Sequence, residues 1–116
     1  MWLRDHGARW FYCIAPDPAT GEWRARMQWS AGEDPATGSA AGPSIAWLVR
    51  SGLVRSGVPI TLRQGVEMQR PSRLTVQATR IGDRITDVFV AGRTIPVAAG
   101  RFFLLGAPAF TQAGEP

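Results

Sequence analysis

Gly32-Glu33-Asp34-Pro35-Ala36-Thr37-Gly38-Ser39-Ala40-Ala41-Gly42-Pro43 packs carboxylates, hydroxyls and glycines into the approach to a helix. Pro43 lacks the N–H that a helix interior uses and is best tolerated in the first turn. The expected helix therefore starts near Ser39 to Ala41 and runs from about Ala40 to Ser51, with Gly52 as its stop. Ile45-Ala46-Trp47-Leu48-Val49 makes it apolar on more than one face, which predicts an interior position.

Outward from this run, the periodicity changes to two. Trp23, Ala25, Met27 and Trp29 alternate with Arg24, Arg26, Gln28 and Ser30, the pattern of a half-buried strand. Leu74, Val76 and Ala78 alternate in the same way, and Gly82-Asp83 turns that strand into Ile85 to Val90. Trp10 to Ala15, Ile60 to Gln64, Thr94 to Val97 (after a turn at Ala91-Gly92) and Phe102 to Leu105 read as further strands. The expected fold is α+β: a curved, barrel-like antiparallel sheet wrapped around one central helix.

Asp-Pro-Ala-Thr-Gly occurs twice, at Asp17 to Gly21 and at Asp34 to Gly38. The first copy leads straight into the Trp23 to Trp29 strand and reads as a hairpin loop. The second leads into the helix, where unpaired amides and the positive dipole end attract anions. Amides around Gly38, Ser39 and Ala40, with the Ser39 hydroxyl, suit a carboxylate ligand. Asp34 and Glu33 are the candidate catalytic carboxylates, able to orient a ligand or exchange a proton when desolvated. A second role stays open: Asp34 or Ser39 as a simple helix cap.

At 116 residues the chain suits one domain over residues 1–116, with 1–9 and 107–116 peripheral. No apolar run spans a bilayer, and the first residues lack a signal-peptide layout, so the expected location is cytoplasmic, away from membranes. Net charge is +4, yet all 13 basic residues are arginines scattered without a recognition motif, so no nucleic-acid partner is expected. A single Cys13 excludes an internal disulfide and reads as a packed apolar thiol in a strand. With one histidine, His6, the chain offers no metal set.

Glu33 to Pro43, followed by Gln64-Gly65-Val66-Glu67-Met68-Gln69-Arg70-Pro71-Ser72-Arg73-Leu74, the Val88 to Arg93 strand-turn and Val97-Ala98-Ala99-Gly100, resembles the C-terminal half of the PhzF family of phenazine-biosynthesis isomerases. The resemblance implies one half of a diaminopimelate-epimerase-like fold, with the active site between two similar domains. It implies that Asp34 and Ser39 face a cleft holding a small carboxylic acid, and that isomerisation or epimerisation proceeds by proton transfer without organic cofactor or metal. The family's shuttle glutamate and cleft histidine belong to its N-terminal domain and match no position here; His6 is not a substitute. The implied active form pairs this half with a separate N-terminal-type domain or with a second copy as a homodimer. The alternatives are a non-catalytic small-anion-binding or regulatory module, or an inactive fragment. Gln64-Gly65 and Arg70-Pro71-Ser72 read as a shaped connection, although Arg70 offers a fork to a carboxylate.

Overall fold

A computed structural model describes residues 5–101. Its elements are β1 (Trp10–Asp17), β2 (Glu22–Trp29), β3 (Gly32–Asp34), α1 (Gly38–Arg50), β4 (Ile60–Gln64), β5 (Ser72–Ile81) and β6 (Arg84–Gly92). The described strands form a 6-stranded sheet in the order β1-β2-β4-β5-β6, with β3 paired to β2. The curled sheet packed on the α1 helix is the arrangement expected for half of a diaminopimelate-epimerase-like fold.

The sheet is mixed rather than wholly antiparallel. β2 and β4 run parallel, with Trp23 opposite Leu62, Arg24 opposite Arg63 and Ala25 opposite Gln64. Parallel neighbours need a crossover, and α1 supplies it between them. All other pairings are antiparallel.

The first Asp-Pro-Ala-Thr-Gly copy closes the β1–β2 hairpin as the pattern predicts. Asp17 accepts from the amides of Thr20 and Gly21 through its carbonyl and from Ala19 through its side chain. Gly21 sits at φ 70, a left-handed position suited to glycine. The Gly82-Asp83 turn likewise joins β5 to β6.

Period-two burial is sharpest in β5, where Leu74, Val76 and Ala78 face the core. They pack with Ala25, Leu62 and the helix residues Ala41, Ile45, Leu48 and Val49. Gly42 brings the helix close to β6, since a Cβ there would lie 3.6 Å from both Val88 and Val90.

Several expectations need correction. α1 begins at Gly38, one to three residues earlier than expected, which carries Pro43 past the first turn, and ends at Arg50, one residue short of the expected Ser51. The bond lost at Pro43 is the one to the Ser39 carbonyl, and both residues lie on the exposed side where water replaces it. The helix is buried along one face only: Trp47 is 55% exposed. Cys13 is exposed, because it shares a sheet face with its partner Arg26 rather than with the core. Ala91-Gly92 ends β6 instead of turning, and Thr94 to Val97 forms no strand. Pro96 offers no N–H to a ladder, and Ile95 and Val97 stay exposed. The expected Phe102 to Leu105 strand and the 107–116 end lie outside the described residues, as do residues 1–4. Among the described residues, no helix is long and apolar enough to cross a membrane.

Candidate functional site

Strand register separates the two adjacent carboxylates. Asp34 pairs with Met27, which pairs with Tyr12, so these three share the face that looks toward the helix. Glu33 pairs with Gln28 on the opposite face. Residues i and i+1 of a strand cannot point the same way.

Glu33 is held where it lies. Arg26 grips it with a fork, Nε to Oε1 at 2.9 Å and Nη2 to Oε2 at 2.7 Å, and Gln28 Nε2 adds a donation at 3.3 Å. The Arg26 hydrogen bonds keep its carboxyl below the usual glutamate range. Glu33 is thereby kept ionised and directed away from the helix mouth.

Asp34 organises the loop that enters α1. Its Oδ1 accepts from the Ala36 amide at 3.2 Å, and its Oδ2 accepts from the Thr37 hydroxyl at 2.7 Å. Thr37 is the N-cap residue, yet its side chain makes no capping bond to the helix. Its hydroxyl is engaged by Asp34 and by Gln64 Nε2, which donates to it at 2.8 Å. Neither Asp34 nor Ser39 caps the helix. Gly38 and Ser39 lie exposed in the first turn and Ala40 is half-buried. The Ala40 and Ala41 amides both reach the Thr37 carbonyl, at 3.3 and 3.1 Å. The amides ahead of them have no carbonyl four residues back within the helix.

Gln64 is the residue that sequence reasoning undervalued. It is fully buried and satisfied on all sides. Its Oε1 accepts from the Tyr12 hydroxyl at 2.9 Å and the Thr37 amide at 3.2 Å. Its Nε2 donates to the Asp34 carbonyl at 2.7 Å as well as to Thr37. One amide therefore joins β1, β4 and the approach to α1. The signal available in sequence was a polar residue at a core position of the Ile60, Leu62, Gln64 alternation. Burial, followed by the nearby Asp34 charge, pushes Tyr12 up to about 12.

Gly65 follows at φ 76, and a Cβ there would overlap the Arg70 carbonyl oxygen and approach Pro35 Cα to 3.0 Å. The Arg70 amide closes this turn by donating to the Gly65 carbonyl at 2.9 Å, while the Arg70 side chain is exposed. A recess of about 320 Å³ opens beside the site, lined by Trp10, Met27, Trp29, Glu33, Asp34 and Pro35. Among the described residues, no group of three or more His, Cys, Asp or Glu side chains is placed to hold a metal.

Comparison with known proteins places this geometry in context. The family model for phenazine biosynthesis-like proteins matches residues 11–100. A trans-2,3-dihydro-3-hydroxyanthranilate isomerase of Pseudomonas aeruginosa is 39% identical over 110 residues, covering 86% of this chain and 38% of the relative. The isomerase of the same description from Pseudomonas fluorescens is 39% identical over 85 residues, covering 71% and 31%. A solved structure described as a predicted epimerase from Pseudomonas aeruginosa superposes with a TM-score of 0.55 at 35% identity, over 82% of this chain and 35% of that one. The chain spans about a third of the length of these relatives.

Proposed function

The chain belongs to the PhzC-PhzF family of phenazine biosynthesis-like proteins, and from that membership we propose that it supplies one wall of an isomerase or epimerase cleft. A small carboxylic acid binds at the N-terminus of α1, held by the Gly38 and Ser39 amides and the Ser39 hydroxyl, while Ala40, its amide engaged by the Thr37 carbonyl, borders the site. Proton transfer is cofactor-independent and takes place when the opposite wall is brought by a second domain or a second copy.

The observation that carries this reading is the diversion of the Thr37 hydroxyl. The residue that would ordinarily cap the helix bonds to Asp34 and Gln64 instead. The end of the dipole is thus left to an external anion. Of the two sequence candidates, Asp34 is the one assigned to the cleft, shaping the helix mouth and facing the ligand. Glu33, committed to Arg26 on the other face, is assigned no proton transfer. A second reading, a small-anion-binding module without catalysis, draws on one specific fact: both Asp34 oxygens already have donors.

Solvent-deuterium incorporation into a panel of small carboxylic acids tests the two readings, run on the purified chain with its assembly state measured by native mass spectrometry. Incorporation by a dimer, lost in Asp34→Asn and weakened in Ser39→Ala, supports the enzyme. Saturable binding without incorporation supports the module. A monomer that neither binds nor exchanges overturns both.

A further inference from the structure

The sheet face opposite Asp34 carries an unusual row of charge. Arg24 lies directly across from Arg63, and Arg63 directly across from Arg73. Arg93 follows Gly92, which pairs with Leu74, the residue after Arg73. Arginines from neighbouring strands thus line up across β2, β4, β5 and the end of β6. Like charges directly opposite each other destabilise a sheet.

Local carboxylates balance only one end of the row. Arg24 reaches Glu67 at 2.5 Å and Asp17 at 3.8 Å. At the other end, Glu22 alone serves both Arg63, at 3.5 Å, and Arg73. Arg63 and Arg73 therefore share one acid, and Arg93 has no ion pair among the described residues. Arg73 is 68% exposed, and its bond to Glu22 uses one of its five N–H donors. Arg73 and Arg93 border a recess of about 440 Å³, completed by Thr61, Thr75, Ala91 and Gly92. Two planar forks and two hydroxyls around a space of this size match a multiply charged anion.

We propose that this recess is a binding site for a small polyanion, a molecule bearing a diphosphate or several carboxylates, separate from the helix mouth. Arg93 and Arg73 grip the anion through their forks. Thr61 and Thr75 donate to its remaining oxygens, and the excess positive charge of the row is neutralised when the site fills.

The test is titration calorimetry of the full chain with pyrophosphate and, separately, with citrate, at low and moderate salt. Saturable binding of either is expected, and the preferred probe distinguishes phosphate from polycarboxylate. Arg93→Gln is expected to weaken that binding roughly tenfold, the size of one charge-assisted bond, with Arg93→Lys intermediate. Arg84→Gln, which removes an exposed charge elsewhere, leaves it unchanged, and Ser39→Ala reports separately on the helix mouth; circular dichroism establishes that each variant is folded. Four results overturn the proposal. These are absence of saturable binding, equal weakening by Arg84→Gln, loss in Ser39→Ala instead of Arg93→Gln, and tighter binding of a single-stranded RNA oligomer that Arg93→Gln does not affect.

Discussion

Replacing Gln64 with leucine is expected to be among the most damaging single substitutions in the chain. The side chains are similar in size, so the change removes polar bonds without opening a large cavity. Four hydrogen bonds are lost, two accepted from Tyr12 and Thr37 and two donated to Asp34 and Thr37. At about 0.5–1.5 kcal/mol net for each, the loss spans about 2–6 kcal/mol. Leucine's apolar end returns about 1 kcal/mol. The Thr37 amide and Asp34 carbonyl left without their partner move the sum back up, to an expected destabilisation of about 3–4 kcal/mol. Urea unfolding followed by tryptophan fluorescence measures it, with the slope against urea unchanged because the same surface is exposed. A companion variant, Gln64→Glu, keeps the shape and the two accepted bonds; it recovers stability on acidification, when the protonated carboxyl donates one bond. A loss below about 1 kcal/mol for Gln64→Leu at constant slope would refute the reasoning, since those buried groups would then be satisfied without Gln64.

Gly65→Ala is expected to destabilise by about 2 kcal/mol or more, because the new Cβ meets backbone at Arg70 and Pro35 and the residue keeps a positive φ; a thermal midpoint within a degree of the parent contradicts this. Tyr12, raised from 10.0 to about 12, ionises in the unfolded chain before it does so in the folded one. Stability is therefore intact below pH 10 and falls as pH rises toward 12, and Tyr12→Phe flattens that fall; urea midpoints measured across this window check the sign.

The elements with strong local periodicity were legible in the sequence. β2 and β5 follow their alternation, and the two Asp-Pro-Ala-Thr-Gly copies take the loop roles that their following residues dictate. The fate of Thr94 to Val97 was not legible, since a short apolar alternation does not reveal whether a partner strand is within reach. Helix burial was overread for the same reason: Ile45 to Val49 is apolar throughout, but only residues with a sheet beneath them lose water, which leaves Trp47 outside. At the site, sequence adjacency suggested that Glu33 and Asp34 act together, whereas a strand's alternation sends them to opposite faces. Gln64 was hidden because its partners come from segments far away in the chain. Its burial is a property of the assembled sheet and not of its neighbours in sequence.

The parallel seam between β2 and β4 also shapes how the chain reaches its native state. The β1–β2 hairpin and the β4–β5–β6 meander are assembled from contacts between neighbours in sequence, so each closes only short loops. The three register pairs of the seam unite them across the whole helical crossover, and this is the expensive closure in conformational entropy. Gln64 stands at the end of that seam and ties it to the helix approach. The residue that arranges the candidate site is thus also the stitch that converts two local units into one cooperative structure.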